Sequence, residues 1–210
     1  MRIESYSNKD LLLSFSPHEV AILRQLSDSL VALLATRKSQ KTSAQADDMQ
    51  AGGMHPNDAE YFSSGPRDLP ADAALARLLP NAYEDEEESS DFRSITEGSL
   101  ISQKLNDINI LQEALQHKLA PTTGEEIFET DIEVCINRDT LPHWVRSLTA
   151  IRLTLAARLG IESEADVTKL REANETNENY SSLSVSDWLA GIIETILHFQ
   201  PHLDAEENHA

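Results

Sequence analysis

Leu11, Leu13 and Phe15 alternate with Leu12 and Ser14, just after the turn residues Ser7-Asn8-Lys9-Asp10. A period of two beside such a turn predicts a β-hairpin over residues 2–15. The period changes at Ser16. Val20, Leu23, Leu26, Leu30, Leu33 and Leu34 recur at helical spacing and predict a helix over 17–36. Its start is well signalled. Ser16 offers a capping hydroxyl, Pro17 suits the first helical position, and Glu19 stands where a capping-box acid reaches back.

Further along, Leu75, Leu78 and Leu79 form the apolar edge of a short helix stopped by Pro80. A helix starting near Glu84 has a first turn made of acids, with Phe92 and Ile95 three apart and turned to the core. Ile101, Leu105, Ile108, Leu111, Leu115 and Leu119 predict a longer helix over 99–119, ended by Pro121 and Gly124. Ile132, Val134 and Ile136 alternate with Glu133 and Cys135, which predicts a strand able to join the hairpin. Leu141, Trp144, Val145, Leu148, Leu155 and Leu159 share one face of a helix over 139–159. Gly160 fits a left-handed helix end there, with Ile161 folding back on the last turn. A polar helix over 162–171 and a loop over 172–182 follow. The last helix, 184–199, has Ser184 as its cap, Asp187 as the box acid, and Val185, Trp188, Leu189, Ile192, Ile196 and Phe199 inward, with Pro201 ending it. The fold class is mainly α with a small antiparallel β-sheet, an α+β arrangement of about five to six helices plus an N-terminal hairpin.

Residues 37–68 break this pattern. They hold almost no aliphatic side chains and are rich in Ser, Asp, Gln and Gly. Such a segment buries too little to offset its ordering entropy. The expected organisation is one domain: hairpin and first helix over 1–36, a disordered linker or loop insert over 37–68, the helical body over 69–200, and a disordered tail over 201–210.

Charge narrows the functional classes. The 210 residues carry 17 Lys and Arg against 36 Asp and Glu, a net charge of −19. The first 70 residues hold a net −2 and the remainder −17. A phosphate backbone is repelled by such a body, so no nucleic-acid partner is expected. The single cysteine, Cys135, excludes a disulfide framework and a cysteine-rich zinc site. No apolar run approaches about 20 residues, and the N-terminus lacks the core of a signal peptide, which points to the cytoplasm and no membrane partner.

Catalytic chemistry is sparse in the sequence. It has no glycine-rich phosphate loop and no GxSxG motif, and its seven histidines are scattered. His198 and His202 are four apart, but Pro201 between them is expected to break the helix. His143, one step off the apolar stripe, is expected to be exposed. Five consecutive acids, Glu84 to Glu88, point all around a helix and cannot converge on one ion, so they read as its solvated start. Arg152 is the exception on the apolar face of its helix, one turn from Leu148 and Leu155. There it has a structural ion pair, a snorkelling head, or a ligand as its alternatives. No catalytic residue, metal ligand or cofactor is assigned.

Three stretches together resemble a known family: "ARLLPNAYEDEEESSDFRSITEGSLISQKLNDINILQEAL", "LPHWVRSLTAIRLTLAARLGI" and "SDWLAGIIETIL". The family is the actinobacterial domain of unknown function 2017, and "LLLSFSPHEVAILRQLSDSLVALL" is similar to its opening. The shared features are the leucine-proline turn with Tyr83, Phe92-Arg93, the Trp144 helix with Arg152, and Asp187-Trp188-Leu189. Arg152, Trp144, Trp188, Asp187 and Tyr83 are therefore the candidate structural or binding residues. The resemblance implies no established activity. Family genes neighbour that of the ClpS-type protease adaptor, and some members carry a transcriptional-regulator label. The reading is a non-enzymatic, acidic protein–protein interaction or regulatory module, with a link to Clp-dependent proteolysis as its narrower form. A transcriptional regulator is the alternative, and an enzyme or binding protein for a small anion is third. A protein partner is expected; its identity and the oligomeric state are left open.

Overall fold

The computed structural model describes residues 2–6, 10–49, 67–116, 131–172 and 178–205. Within them the chain runs β1 (Arg2–Tyr6), β2 (Asp10–Phe15), α1 (Pro17–Met49), α2 (Ala73–Leu78), α3 (Glu86–Gln116), β3 (Ile132–Asn137), α4 (Leu141–Arg158), α5 (Glu164–Glu172) and α6 (Glu178–Ala205). The fold is mainly helical with a small antiparallel sheet.

Alternation in the strands sets the sheet. Its order is β1-β2-β3, so the third strand does join the hairpin. Leu11 pairs with Ile136, Leu13 with Val134 and Phe15 with Ile132. That register puts Leu11, Leu13, Phe15, Ile132, Val134 and Ile136 on one face, and all of them but the half-buried Ile132 are buried, while Leu12 falls on the other face opposite Cys135. Cys135 lies on the other face and is exposed. The inner face packs on helices. Trp144 of α4 stacks on Phe15, with ring centroids 6.5 Å apart and planes 9° from parallel. Trp188 of α6 meets the same ring edge-on, also at 6.5 Å. Phe15 is thus the joint between sheet, α4 and α6.

Local signals hold at two helix ends. At α1, Ser16 N–H donates to Glu19 Oε2 at 2.8 Å and Glu19 N–H to Ser16 Oγ at 3.3 Å, a reciprocal capping box. After α4, Gly160 has φ of +66°. Its N–H donates to Ala157 O at 3.2 Å, and Ile161 N–H donates to Ala156 O at 2.9 Å. That pair of bonds is the Schellman motif that a glycine at this position permits.

Several boundaries differ from expectation. Helix α1 does not stop at 36 but continues to Met49, through Lys38, Gln40, Lys41, Ala44, Gln45 and Ala46, which are good helix formers. The rest of the expected insert, 50–66, lies outside the described residues, while Arg67 and Asp68 are placed. Helix α6 begins at Glu178, so Ser184 lies inside it and does not start it. It also runs through Pro201 to Ala205 rather than ending there, so 201–205 are helical and 206–210 lie outside the described residues. Pro121 and Gly124 likewise lie outside the described residues.

The largest difference is α3. One helix spans Glu86–Gln116 where two were expected. Asp85 caps it, its Oδ1 accepting from Glu88 N–H at 2.9 Å, and Glu84 to Glu88 are all exposed, as a solvated helix start requires. Phe92 and Ile95, however, do not face the core: they are 42% and 78% exposed. The buried positions of this half are Ser89, Ser90, Arg93 and Glu97. Glu97, 1% exposed, explains the rotation. Arg37 of α1 donates from Nε and Nη2 to its two oxygens at 2.9 and 3.1 Å, and Arg67 Nη2 lies 2.9 Å from Oε1. Arg93, one turn earlier on α3, stands 3.8 Å away. A buried carboxylate must be paired, and its partners lie on the inner side, so α3 turns that side in.

Candidate functional site

The five residues singled out from sequence do not share one site, although Trp144 and Trp188 meet on the same ring. Trp144 is fully buried and Trp188 half-buried, and both are held by Phe15. Both indole N–H groups are sealed without an acceptor among the described residues. Their role is packing. Asp187 forms a surface pair with Arg171 at 3.0 Å, both side chains being more than half exposed. It does not act as a box acid, because α6 starts earlier. Arg152 is half-buried, and its Nε donates to Ser186 O at 3.2 Å, tying α4 to α6. No carboxylate pairs with it among the described residues. The apolar stripe of α4 is buried at Leu141, Trp144 and Leu148, but Arg152, Leu155 and Leu159 are only half-buried. Arg152 therefore sits where its head reaches the helix edge.

Tyr83 leads elsewhere. Its backbone N–H donates to Ser89 Oγ at 3.0 Å, and that hydroxyl donates back to Tyr83 O at 2.9 Å, which fixes the turn entering α3. The ring then lies edge-on to Phe92, 5.6 Å between centroids. Tyr83 is 48% exposed. Ile95 follows Phe92 by three residues, so the two are neighbours on the helix surface. Tyr83, Phe92 and Ile95 thus form an exposed apolar patch beside Glu84 to Glu88 and Asp91, all exposed. Single exposed apolar residues are ordinary; here three lie close together with charge around them.

Further along α3, a cavity of about 230 Å³ opens between α3 and α4. Leu100, Lys104, Asp107, Val145, Ser147 and Leu153 are among its walls. Asp107 is its polar hub and is buried. Arg146 grips it through Nε to Oδ2 and Nη2 to Oδ1, both 2.8 Å. His143 Nδ1 lies 2.6 Å from Oδ1. A carboxylate only accepts, so Nδ1 carries the proton in this tautomer. The Nη2 of Arg146, 3.1 Å from the same nitrogen, is then a second donor facing a donor rather than a hydrogen bond. Burial pushes the Asp107 carboxyl up, but the hydrogen bonds from Arg146 and His143 outweigh it and hold the pKa below the usual aspartate value. Burial also lowers the Lys104 ammonium, against the pull of Asp107.

His143 is therefore not the exposed side chain expected from its position. It is half-buried and oriented by a carboxylate on α3, 36 residues earlier, a partner no local spacing reveals. The pairing resembles part of a hydrolytic relay. Ser147 lies one turn on from His143, yet its buried hydroxyl has no hydrogen-bond partner among the described residues, the imidazole included, so His143 does not activate it. Among the described residues, no group of three or more metal-ligating side chains converges. No helix among them is long and apolar enough to cross a membrane.

Neither the curated proteins nor the solved structures contain a match to this chain. The model of one family does match, over residues 1–199, which is nearly the full length. The chain belongs to that family, the domain of unknown function DUF2017.

Proposed function

We propose that this protein is a non-enzymatic interaction module that docks a basic, apolar segment of another protein on the start of α3. One observation carries the reading: Tyr83, Phe92 and Ile95 are exposed side by side, next to the run Glu84 to Glu88. Aromatic and aliphatic anchors supply the buried area of an interface, while surrounding charge selects the partner and speeds encounter. The net charge of −19 extends the same preference over the whole body. The narrower form, a role in Clp-dependent proteolysis in the cytoplasm, rests on the gene neighbourhood of the family alone.

A transcriptional regulator is less well supported. Binding DNA needs a basic helix face, and Arg37, in the part of α1 beyond the helix expected over 17–36, is turned inward to Glu97. A small-anion site at Arg152 is also weaker, because its Nε is spent on a backbone carbonyl.

Quantitative pull-down from native cells, comparing the natural chain with a Phe92→Ser, Ile95→Ser double variant, tests the reading. A stoichiometric partner that is lost both in the variant and at raised salt supports it. A partner held equally well by the variant, or no partner at any salt, contradicts it.

A further inference from the structure

Three guanidinium groups meet one carboxylate at the junction of α1, Arg67 and α3. Arg37, Arg67 and Arg93 all approach Glu97, with side-chain exposures of 12%, 15% and 6% against 1% for the acid. Three positive charges and one negative leave a surplus of two, in a chain whose net charge is −19. The backbone absorbs part of the hydrogen-bonding capacity. Arg37 Nη2 donates to Asp68 O at 2.8 Å, Arg67 Nη2 to Arg37 O at 3.1 Å, and Arg93 Nη1 to Arg67 O at 2.9 Å. Arg93 Nη2 donates to Asn81 Oδ1. These carbonyls and the amide fix the orientation of each fork without neutralising it.

Two features point to a ligand. Nη1 of Arg37 and Nη1 of Arg67 have no acceptor among the described residues, and neither is sealed from solvent. Ser90, one turn before Arg93, is buried and its hydroxyl has no partner among the described residues, while its carbonyl accepts from Arg67 N–H at 3.4 Å. The arrangement also carries electrostatic tension. Burial lowers the Arg67 pKa, and the neighbouring Arg37 and Arg93 lower it further, against the pull of Glu97.

We propose that this cluster binds a doubly charged tetrahedral oxyanion, the phosphate group. The two guanidinium nitrogens unpaired among the described residues and reached by solvent each have a donor to give to a phosphate oxygen, and a charge of minus two cancels the surplus of the cluster. Glu97 holds the three guanidiniums in place before the anion arrives, so that little side-chain entropy is lost on binding. The phosphate is either free in solution or carried on a phosphorylated side chain of another protein, and the chemistry of recognition is the same.

Thermal unfolding of the full chain titrated with inorganic phosphate tests this, with chloride at matched ionic strength as control and a phosphoserine peptide in a second arm. The expected result is a saturable rise in Tm of about 2–4 °C in at least one arm. The arm that responds identifies the source. The rise should vanish in Arg67→Gln and weaken in Arg67→Lys, which also serves if the Gln variant does not fold. No rise in either arm beyond the chloride control overturns the proposal, and so does an undiminished rise in both Arg67 variants. Phe92→Ser, Ile95→Ser should keep the full response, so failure of the docking surface and failure of the phosphate site are separately visible.

Discussion

The sheet with α4 and the first half of α3 each bury one side, and the two inner sides are built in opposite ways. In the first, Leu11, Leu13, Phe15, Val134, Ile136, Trp144 and Leu148 fill the interior, and Ser14 and Ser147 are the uncharged polar residues buried among them. In the second, Ser89, Ser90, Arg93 and Glu97 are inside, and Phe92 and Ile95 are outside. The apolar region is held by area removed from water and by close packing, terms that any hydrophobe of the right shape supplies. The polar region is held by one carboxylate shared among three guanidiniums, so it depends on each member being present. A buried ion cluster can thus set the rotation of a helix against its own apolar residues, leaving those residues free to meet a partner.

The contrast between the two regions is sharpest under mutation, and the largest loss is expected on the apolar side. Trp144→Ala removes a fully buried ring stacked on Phe15 and should cost about 3–5 kcal/mol in urea unfolding, with little dependence on salt. On the polar side the signature is coupling. A double-mutant cycle of Arg37→Ala with Glu97→Ala should show an interaction energy of about 0.5–3 kcal/mol across residues far apart in sequence. Additive effects in that cycle would mean that the cluster is not a unit. A smaller loss, about 0.5–2 kcal/mol, should follow Ser16→Ala, which removes half of the capping box at the start of α1.

The smallest effect is confined to acid. Asp107 has a pKa below its ordinary value in the folded chain. The stabilisation from its bonds to Arg146 and His143 is therefore complete above the unfolded aspartate pKa of about 4 and is lost as pH falls through the lower, folded value. Asp107→Asn should remove that part of the acid sensitivity. Unfolding midpoints measured from neutral to strongly acidic pH should fall less steeply in the variant than in the natural chain. Identical slopes would place the acid sensitivity on other carboxylates.

Much of the fold is legible in the sequence because its causes are local. Alternation at Leu11 to Phe15 and at Ile132 to Ile136 carries the sheet, and the pairing of β3 with β2 follows from both having one apolar face. Ser16, Glu19, Gly160 and Ile161 announce their helix ends by residue type. The features that escape a sequence reading depend on distant partners. Phe92 and Ile95 look like core residues until Arg37 and Arg67, remote in sequence, claim the inner side of α3 through Glu97. His143 looks exposed because Asp107 sits on another helix. Arg152 invites an acid as its partner, but it lies at the edge of its stripe and uses the carbonyl of Ser186. The early start of α6 is hidden because Ser184 and Asp187 imitate a cap within a helix already under way. Tyr83 stands out in the sequence, but its partner Phe92 faces water rather than the core.

Helix α3 turns Glu97 inward and Ile95 outward, two residues apart, and both the proposed docking surface and the arginine cluster rest on that rotation. The most direct measurement is the unfolding free energy of Ile95→Asp and Glu97→Ala, each against the natural chain. Ile95→Asp should change it by no more than about 0.5 kcal/mol, as for an exposed site, and Glu97→Ala should lose about 3–5 kcal/mol, as for a buried carboxylate stripped from its cations. A large loss from Ile95→Asp with a small one from Glu97→Ala would show that the helix sits the other way round, and the reading of both surfaces would fall with it.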